Sequence, residues 1–192
     1  MFVNGCMSVG SISAKANSIS VDGAAGVGFL ANTGYTYVTA GAGVNLTLLE
    51  DNGGMPLANR TENIVAAGHY TVFAGGAVGA PAYVFTTDDL TPPTSGNAKL
   101  RFINLSPDNI NEVATANDTI ITPTITTNTA SDFYQLKAGA YAIGAFVPGN
   151  KYAVIKADSV AIQAGKIYTV ILTGSATGAG TDGLLLSIIK NN

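Results

Sequence analysis

The chain has 192 residues, of which 47% are hydrophobic and only 11% are charged, and its formal net charge is −3. The 9 Lys and Arg residues are scattered, which excludes the clustered positive charge that nucleic-acid binding requires. Soluble helices carry Glu and Lys on their outer faces, so the low charge also argues against a helical protein and favours β-structure.

The first predicted element is a strand at residues 1–4. No charged region followed by an apolar stretch precedes it, so the sequence contains no signal peptide. Because a natural chain rarely opens inside a core strand, we expect that a leader was removed, and a lipid anchor would belong to that leader. Cys6 is the only cysteine, which excludes an internal disulfide. We interpret Cys6 as a small buried or half-buried apolar residue.

The strands that follow alternate apolar and polar residues with a period of two. The alternation is clear at residues 19–21, 44–48, 100–102 and 141–146, with glycine or Asn-Gly between segments. No segment shows a sustained 3.6-residue stripe, and no apolar run approaches the roughly 20 residues of a membrane-spanning helix. The pattern predicts an all-β sandwich with no transmembrane segment.

A Gly-x-Tyr pattern opens two strands, at residues 68–70 and 139–141, and residues 165–168 are a variant one residue longer. The glycine is predicted to take a positive φ where the chain turns into the strand. The tyrosine is predicted to pack its ring and to hydrogen-bond nearby backbone with its hydroxyl. We expect Tyr70 and Tyr168 to be equivalent and mostly buried.

The whole chain is an internal repeat with an offset that drifts from 100 to 97 residues. A unit of this size is a domain rather than a solenoid repeat. Residues 86–97 are polar, contain Pro92-Pro93 and read as the linker. The sequence therefore predicts two domains, 1–93 and 94–192, each a sandwich of about seven strands. The matches are Phe2-Val3-Asn4 with Phe102-Ile103-Asn104, Ala16-Asn17 with Ala116-Asn117, Ala40-Gly41 with Ala138-Gly139, Ala67-Gly68 with Ala164-Gly165, Tyr70-Thr71-Val72 with Tyr168-Thr169-Val170, and Gly76 with Gly174.

Residues 98–108, the Ala-Gly turns and the Tyr-Thr-Val strands resemble the domain of unknown function 4397 family. The resemblance is weaker at residues 4–7. It implies tandem immunoglobulin-like or transthyretin-like sandwiches in exported bacterial proteins and lipoproteins. It also implies a location in the periplasm or at the outer-membrane surface, with a binding or structural role.

Few residues in the sequence are candidates for metal binding or catalysis. His69 is the only histidine, which excludes a multi-histidine metal site, and we interpret it as an exposed strand residue. Asp108 and Glu112 are candidate calcium ligands, but the glycine and ligand order of an EF-hand are absent, so a solvated turn is the competing interpretation. Residues 88–89 are interpreted as a linker turn. No cofactor site is predicted.

Two surface features remain open. Tyr35, Tyr37, Tyr83 and Tyr152 are the aromatic residues least tied to the predicted cores, and a patch of them would suit a sugar ring. Residues 118–120 and 158–160 match an Asp-Ser/Thr-aliphatic pattern for O-glycosylation, which would be a surface modification.

We therefore expect a non-catalytic binding, adhesion or structural module whose partner is a protein or glycan at the cell surface. The alternative is a carbohydrate-binding module that serves glycan uptake. An enzyme is not expected, because no catalytic constellation is visible. A ligand site is expected in one copy or at the junction, because the loops of the two copies differ.

Overall fold

A computed structural model describes residues 1–7, 9–21, 26–50, 54–77, 80–108, 113–146, 155–178 and 183–192. Its secondary structure is entirely β. Within these ranges no helix has the length and apolarity needed to cross a membrane. The chain folds as two compact units, unit 1 (Met1–Asp88) and unit 2 (Asp89–Asn192), whereas the boundary predicted from the sequence follows residue 93.

Unit 1 consists of two sheets. The smaller has the order β1-β7-β8, and the larger has the order β3-β2-β5-β6 with β4 also paired to β2. Its strands are β1 (Phe2–Asn4), β2 (Ser11–Ala16), β3 (Ile19–Ser20), β4 (Val27–Gly28), β5 (Gly41–Glu50), β6 (Pro56–Ile64), β7 (Tyr70–Ala77) and β8 (Ala80–Thr87).

Unit 2 repeats this arrangement. One sheet has the order β12-β9-β16-β17 with β13 also paired to β9, and the other has the order β11-β10-β14-β15. Its strands are β9 (Asn97–Asn104), β10 (Val113–Ala116), β11 (Thr119–Ile120), β12 (Thr129–Ala130), β13 (Tyr134–Lys137), β14 (Gly139–Phe146), β15 (Ile155–Ile162), β16 (Ile167–Thr173) and β17 (Leu185–Lys190).

The strand register confirms the sequence repeat. β1 runs parallel to β7 with Phe2 opposite Val72, and β9 runs parallel to β16 with Phe102 opposite Val170. The fold is therefore two tandem β-sandwiches, as predicted. Each unit has more than the predicted seven strands in its described part, because short strands such as β3 and β11 are present in addition to the longer strands with which they pair.

The two tyrosines are equivalent, and Tyr168 is the more deeply buried of the two. The Tyr70 hydroxyl accepts the amide of Val65 at 3.1 Å, and the Tyr168 hydroxyl accepts the amide of Gln163, also at 3.1 Å. These bonds confirm the predicted return of the hydroxyl to nearby backbone. Tyr168 is 4% exposed and Tyr70 is partly exposed, so both are mostly buried as predicted and Tyr168 is the more deeply buried of the two.

The glycine prediction holds at one of three positions. Gly165 has a φ of 77°, but the positive φ in unit 1 belongs to Ala67, at 61°. Gly68 and Gly139 do not have positive φ. The Ala-Gly match between the copies is therefore one residue out of register, because the backbone aligns Ala67 with Gly165.

The cores lie between the sheets of each unit. The central strands β9 and β16 of unit 2 are buried along almost their whole length. In unit 1 the predicted burial of Cys6 is confirmed, at 0% exposure. Cys6 packs with a cluster made of Phe2, Val9, Ile12, Ala14, Val27, Leu48 and Ala74.

Asp88 is not the solvated linker turn that the sequence predicted. It is 5% exposed, and its carboxylate accepts the hydroxyls of Thr71, Thr86 at 3.0 Å and Tyr35 at 2.5 Å. Hydrogen bonds to a charged group are stronger than neutral ones. Asp88 therefore joins the end of β8 to β7 and to the loop that contains Tyr35.

Asp89 begins unit 2 and pairs with a strand residue. Its carboxylate lies 2.5 Å from Nζ of Lys99, with its side chain 56% exposed, and accepts the Thr91 hydroxyl at 2.6 Å. The Lys99 and Thr91 hydrogen bonds lower the pKa of Asp89 from 3.8 to about 2.

The Asp89–Lys99 ion pair predicts that the folding stability of unit 2 decreases in acid. Because the folded pKa of Asp89 is below its ordinary value, the stabilisation is fully present above pH about 4 and is lost as the pH falls towards about 2. The Asp89→Asn variant should lose this part of the acid dependence, while Asp158→Asn, at an exposed position, serves as the control. Denaturant unfolding at pH values from about 4 down to about 2 measures the loss of stability. An equal pH dependence of the free energy of unfolding for Asp89→Asn and the wild type would contradict the prediction.

Candidate functional site

A cavity of about 530 Å³ lies within unit 1, between its two sheets. One wall comes from β7 and β8, and the other comes from β2 and β5. The lining is mainly apolar because these strands present their core faces to it. The main lining residues of the two walls are Tyr70, Val72 and Phe85 on one side and Ala14, Leu46 and Leu48 on the other.

The rim of the cavity is aromatic. Residues 35–38 and 64–69 form it. The ring of Tyr35 meets that of His69 edge to face, with centroids 5.6 Å apart. Inside, the rings of Tyr70 and Phe85 stack with centroids 5.2 Å apart. The side chain of Tyr37 is fully exposed, at 105%, so its ring stands free in solvent beside the opening.

Of the four tyrosines considered from sequence, two lie at this site. Tyr35 and Tyr37 line the cavity. Tyr83 instead packs against both core clusters of unit 1, and burial, with Glu62 nearby, raises the pKa of its hydroxyl above the ordinary value. Tyr152 lies outside the described residues.

His69 is exposed, as predicted, and lies directly before β7 at the rim. Its structural counterpart is Ile167, because Tyr70 and Tyr168 are equivalent, yet Ile167 is 0% exposed. The histidine therefore occupies a position that the other unit covers completely.

The calcium candidates do not assemble a site in the described residues. The carboxylate of Asp108 accepts the hydroxyl of Ser175 at 2.7 Å and the amide of Ala176, so it joins two loops of unit 2. Glu112 lies outside the described residues. The part of the chain that the structure describes contains no group of three or more metal-ligating side chains.

The two O-glycosylation patterns lie on exposed strands. Thr119 is exposed in β11 and Ser159 is exposed in β15. Asp118 beside Thr119 forms an ion pair with Lys156, with 3.1 Å between the charged atoms. Modification of either hydroxyl stays a prediction.

Sequence reasoning missed most of the cavity. Leu46, Val72 and Phe85 have the alternation of ordinary core residues, and nothing in their pattern distinguishes a filled core from an open one.

Comparison with known proteins identifies a family and a solved structure of low similarity. The family described as Domain of unknown function (DUF4397) matches residues 2–114. No curated protein matches the chain. Among solved structures, the C-terminal domain of AlgF from P. aeruginosa is similar, with 15% identity over 50% of this chain and 98% of that chain and a TM-score of 0.38. That similarity is too low to support a functional inference.

Proposed function

The chain belongs to the DUF4397 family, and from that premise we propose that it is a non-catalytic binding module of the bacterial envelope whose site is the unit 1 cavity. One observation carries the proposal: an apolar cavity of about 530 Å³ with an aromatic rim. Ligand pockets commonly measure about 300–1,000 Å³ and are lined mainly by apolar and aromatic side chains.

The energetics of packing support a ligand for this cavity. Protein cores are normally close-packed, and a void left by large side chains lowers stability. Unit 2 has the same fold, and the equivalent walls enclose a core of buried residues. The open space between the sheets of unit 1 is therefore a feature that binding of an apolar group would compensate.

The location and class follow from the family resemblance and remain part of the proposal. Exported bacterial sandwiches of immunoglobulin-like or transthyretin-like form present edges and loops to partners, which suits adhesion or assembly. The module would work in the periplasm or at the outer-membrane surface, in a secreted protein or a lipoprotein anchored through a leader.

Carbohydrate binding is the second candidate, and one observation favours it. The fully exposed Tyr37 lines the same cavity as the Tyr35–His69 ring pair, and exposed aromatic rings are surfaces on which a sugar ring could stack. A glycan array with the wild type and Tyr37→Ala separates the two functions. Saturable glycan binding that Tyr37→Ala abolishes would favour carbohydrate, and no glycan binding would leave the apolar ligand.

The cavity itself is tested with an apolar fluorescent dye, 1-anilinonaphthalene-8-sulfonate. We expect saturable binding that falls in Ala14→Leu, because the added methyl groups enter the cavity from its β2 wall. Ile120→Ala, at an exposed position of unit 2, is the matched control and should bind like the wild type. Circular dichroism checks that each variant is folded. Undiminished dye binding in a folded Ala14→Leu would place the site elsewhere.

A further inference from the structure

The larger sheet of unit 1 ends in a long edge strand. Among the described strands, β6 pairs only with β5, so its second edge is joined to none of them. Residues 58–64 of β6 are regular, because the two register shifts of the β5–β6 ladder place their extra residues at Leu57 and within residues 42–43 of β5. A regular edge strand of this length is a template for pairing with another chain.

The corresponding edge of unit 2 is interrupted. β15 takes the place of β6, because it follows β14 at the end of the second sheet. Its ladder shifts between Tyr141 and Ile143, where β15 carries one extra residue, and Ser159 at this point has a φ of 58°. A bulge of this kind bends an edge strand and disrupts further pairing. Of these two edges, that of β6 is therefore the one suited to strand pairing.

The direction of the backbone groups shows which residues of β6 face the open edge. The amide of Asn45 donates to Oδ1 of Asn17 at 2.9 Å, and its carbonyl accepts the Asn17 amide at 2.8 Å, so both groups point towards β2. Thr61 lies opposite Asn45. The two therefore form a non-hydrogen-bonded pair, in which the backbone groups of Thr61 point away from β5. Alternation along the strand gives Asn59 and Asn63 the same outward direction.

Two side chains of opposite charge lie between these outward-facing residues. Arg60 is exposed and Glu62 is partly exposed. They lie opposite Leu46 and Val44, which are buried, so both are on the core-facing side of the sheet at its edge. Inward-facing charges on an edge strand oppose pairing, because an ordinary partner strand would cover them without a counter-charge. An incoming strand must therefore carry a negative charge opposite Arg60 and a positive charge opposite Glu62.

A second copy of β6 supplies both charges in one register. When two copies pair antiparallel with Thr61 opposite Thr61, each Arg60 lies opposite the Glu62 of the other copy. The regular segment 58–64 is then paired along its whole length. A shift of the centre by one residue, to Arg60 or to Glu62, places two like charges opposite each other, which is destabilising.

The backbone is satisfied in the same register. Residues whose amide and carbonyl face the partner must lie opposite one another in an antiparallel ladder. With a two-fold axis at Thr61, Thr61 meets Thr61 and Asn59 meets Asn63. Their side chains are exposed and form hydroxyl and amide pairs across the two strands on the other face of the sheet. Charge, length and hydrogen bonding therefore agree on one arrangement.

We propose that the chain self-associates through this edge: two copies pair antiparallel through β6 about a two-fold axis at Thr61. The two larger sheets of unit 1 then join into one continuous sheet. The contact is isologous, because the same residues meet in both copies. This inference goes beyond the proposed function and stands whether or not the cavity binds a ligand.

Charge reversal tests the contact in the full chain. Sedimentation velocity over a dilution series should show a monomer–dimer equilibrium for the wild type. Arg60→Glu and Glu62→Arg should each raise the dimer dissociation constant at least about tenfold, because each replaces two symmetry-related attractive pairs by two repulsive pairs. The double variant Arg60→Glu/Glu62→Arg restores opposite charges and should dimerise like the wild type.

A matched control is Lys137→Glu, which makes the same change of charge at an exposed position of unit 2. It should leave the dissociation constant unchanged, and circular dichroism checks that every variant is folded. A wild type that stays monomeric at about 1 mM, where even a weak contact forms, would overturn the proposal. A folded double variant that associates no better than the single variants would overturn it as well.

Amide hydrogen exchange locates the contact within the dimer. The amides of Asn59, Thr61 and Asn63 should exchange more slowly in concentrated than in dilute wild type, because the second strand protects them. The amide of Glu62 faces β5 and should be protected at both concentrations. A dimer in which the three outward-facing amides stay unprotected would place the contact elsewhere and refute the pairing through β6.

Discussion

Replacing Tyr168 by alanine is expected to lower the free energy of unfolding of unit 2 by about 3–5 kcal/mol, the scale for large aromatic side chains in a core. The ring is 4% exposed and packs in the main cluster with Leu100 and Val170. The substitution would leave a void and would also remove the acceptor of the Gln163 amide.

The matched substitution in unit 1 should have a smaller effect. Tyr70 is partly exposed at the wall of the cavity, so Tyr70→Ala removes less buried area and should cost about 2 kcal/mol at the usual value per unit area. Denaturant unfolding, with amide exchange in β7 and β16 to assign the change to a unit, measures both.

A conservative control separates packing from hydrogen bonding. Tyr168→Phe keeps the ring and should cost about 1 kcal/mol, the usual net contribution of one hydrogen bond. Equal losses for Tyr70→Ala and Tyr168→Ala would show that the cavity is filled in solution, and would contradict the open site.

Asp88→Ala is expected to lower the free energy of unfolding of unit 1 by about 3 kcal/mol, because three hydroxyl donors lose one buried carboxylate acceptor. The donors are Thr71, Thr86 and Tyr35. Thr71 is itself 0% exposed, so water cannot readily replace the lost partner.

Unit 2 provides the control for this prediction. Asn191 lies at the equivalent position, because its amide donates to the carbonyl of Ile167 as that of Asp88 donates to His69, both at 2.8 Å. Its side chain accepts the Thr169 hydroxyl at 2.9 Å. Asp88→Asn should therefore retain much of the stability that Asp88→Ala loses. Equal unfolding midpoints for the two variants would show that the acceptor oxygen is unimportant.

Part of this site could be predicted and part could not. Tyr35 and Tyr37 stand out in the sequence because they belong to no predicted core strand, and both line the cavity. Asp88 was misread because an acidic residue near prolines resembles a linker turn. Its burial depends on Thr71 and Tyr35, which are distant in sequence and brought together only by the fold.

Sequence by itself determined the all-β class, the two repeated units and the equivalence of Tyr70 with Tyr168. Alternation with period two is visible within a single strand, and a repeat of nearly a hundred residues is found by comparing the sequence with itself. Neither pattern requires knowledge of tertiary contacts. Only the tertiary structure decided which core was full. Leu46 and Ile143 have the same pattern in the sequence, but in the structure Leu46 lines the cavity of unit 1 and Ile143 packs in the main core cluster of unit 2. Packing between the sheets depends on residues far apart in the chain, so a vacancy appears only when both walls are in place.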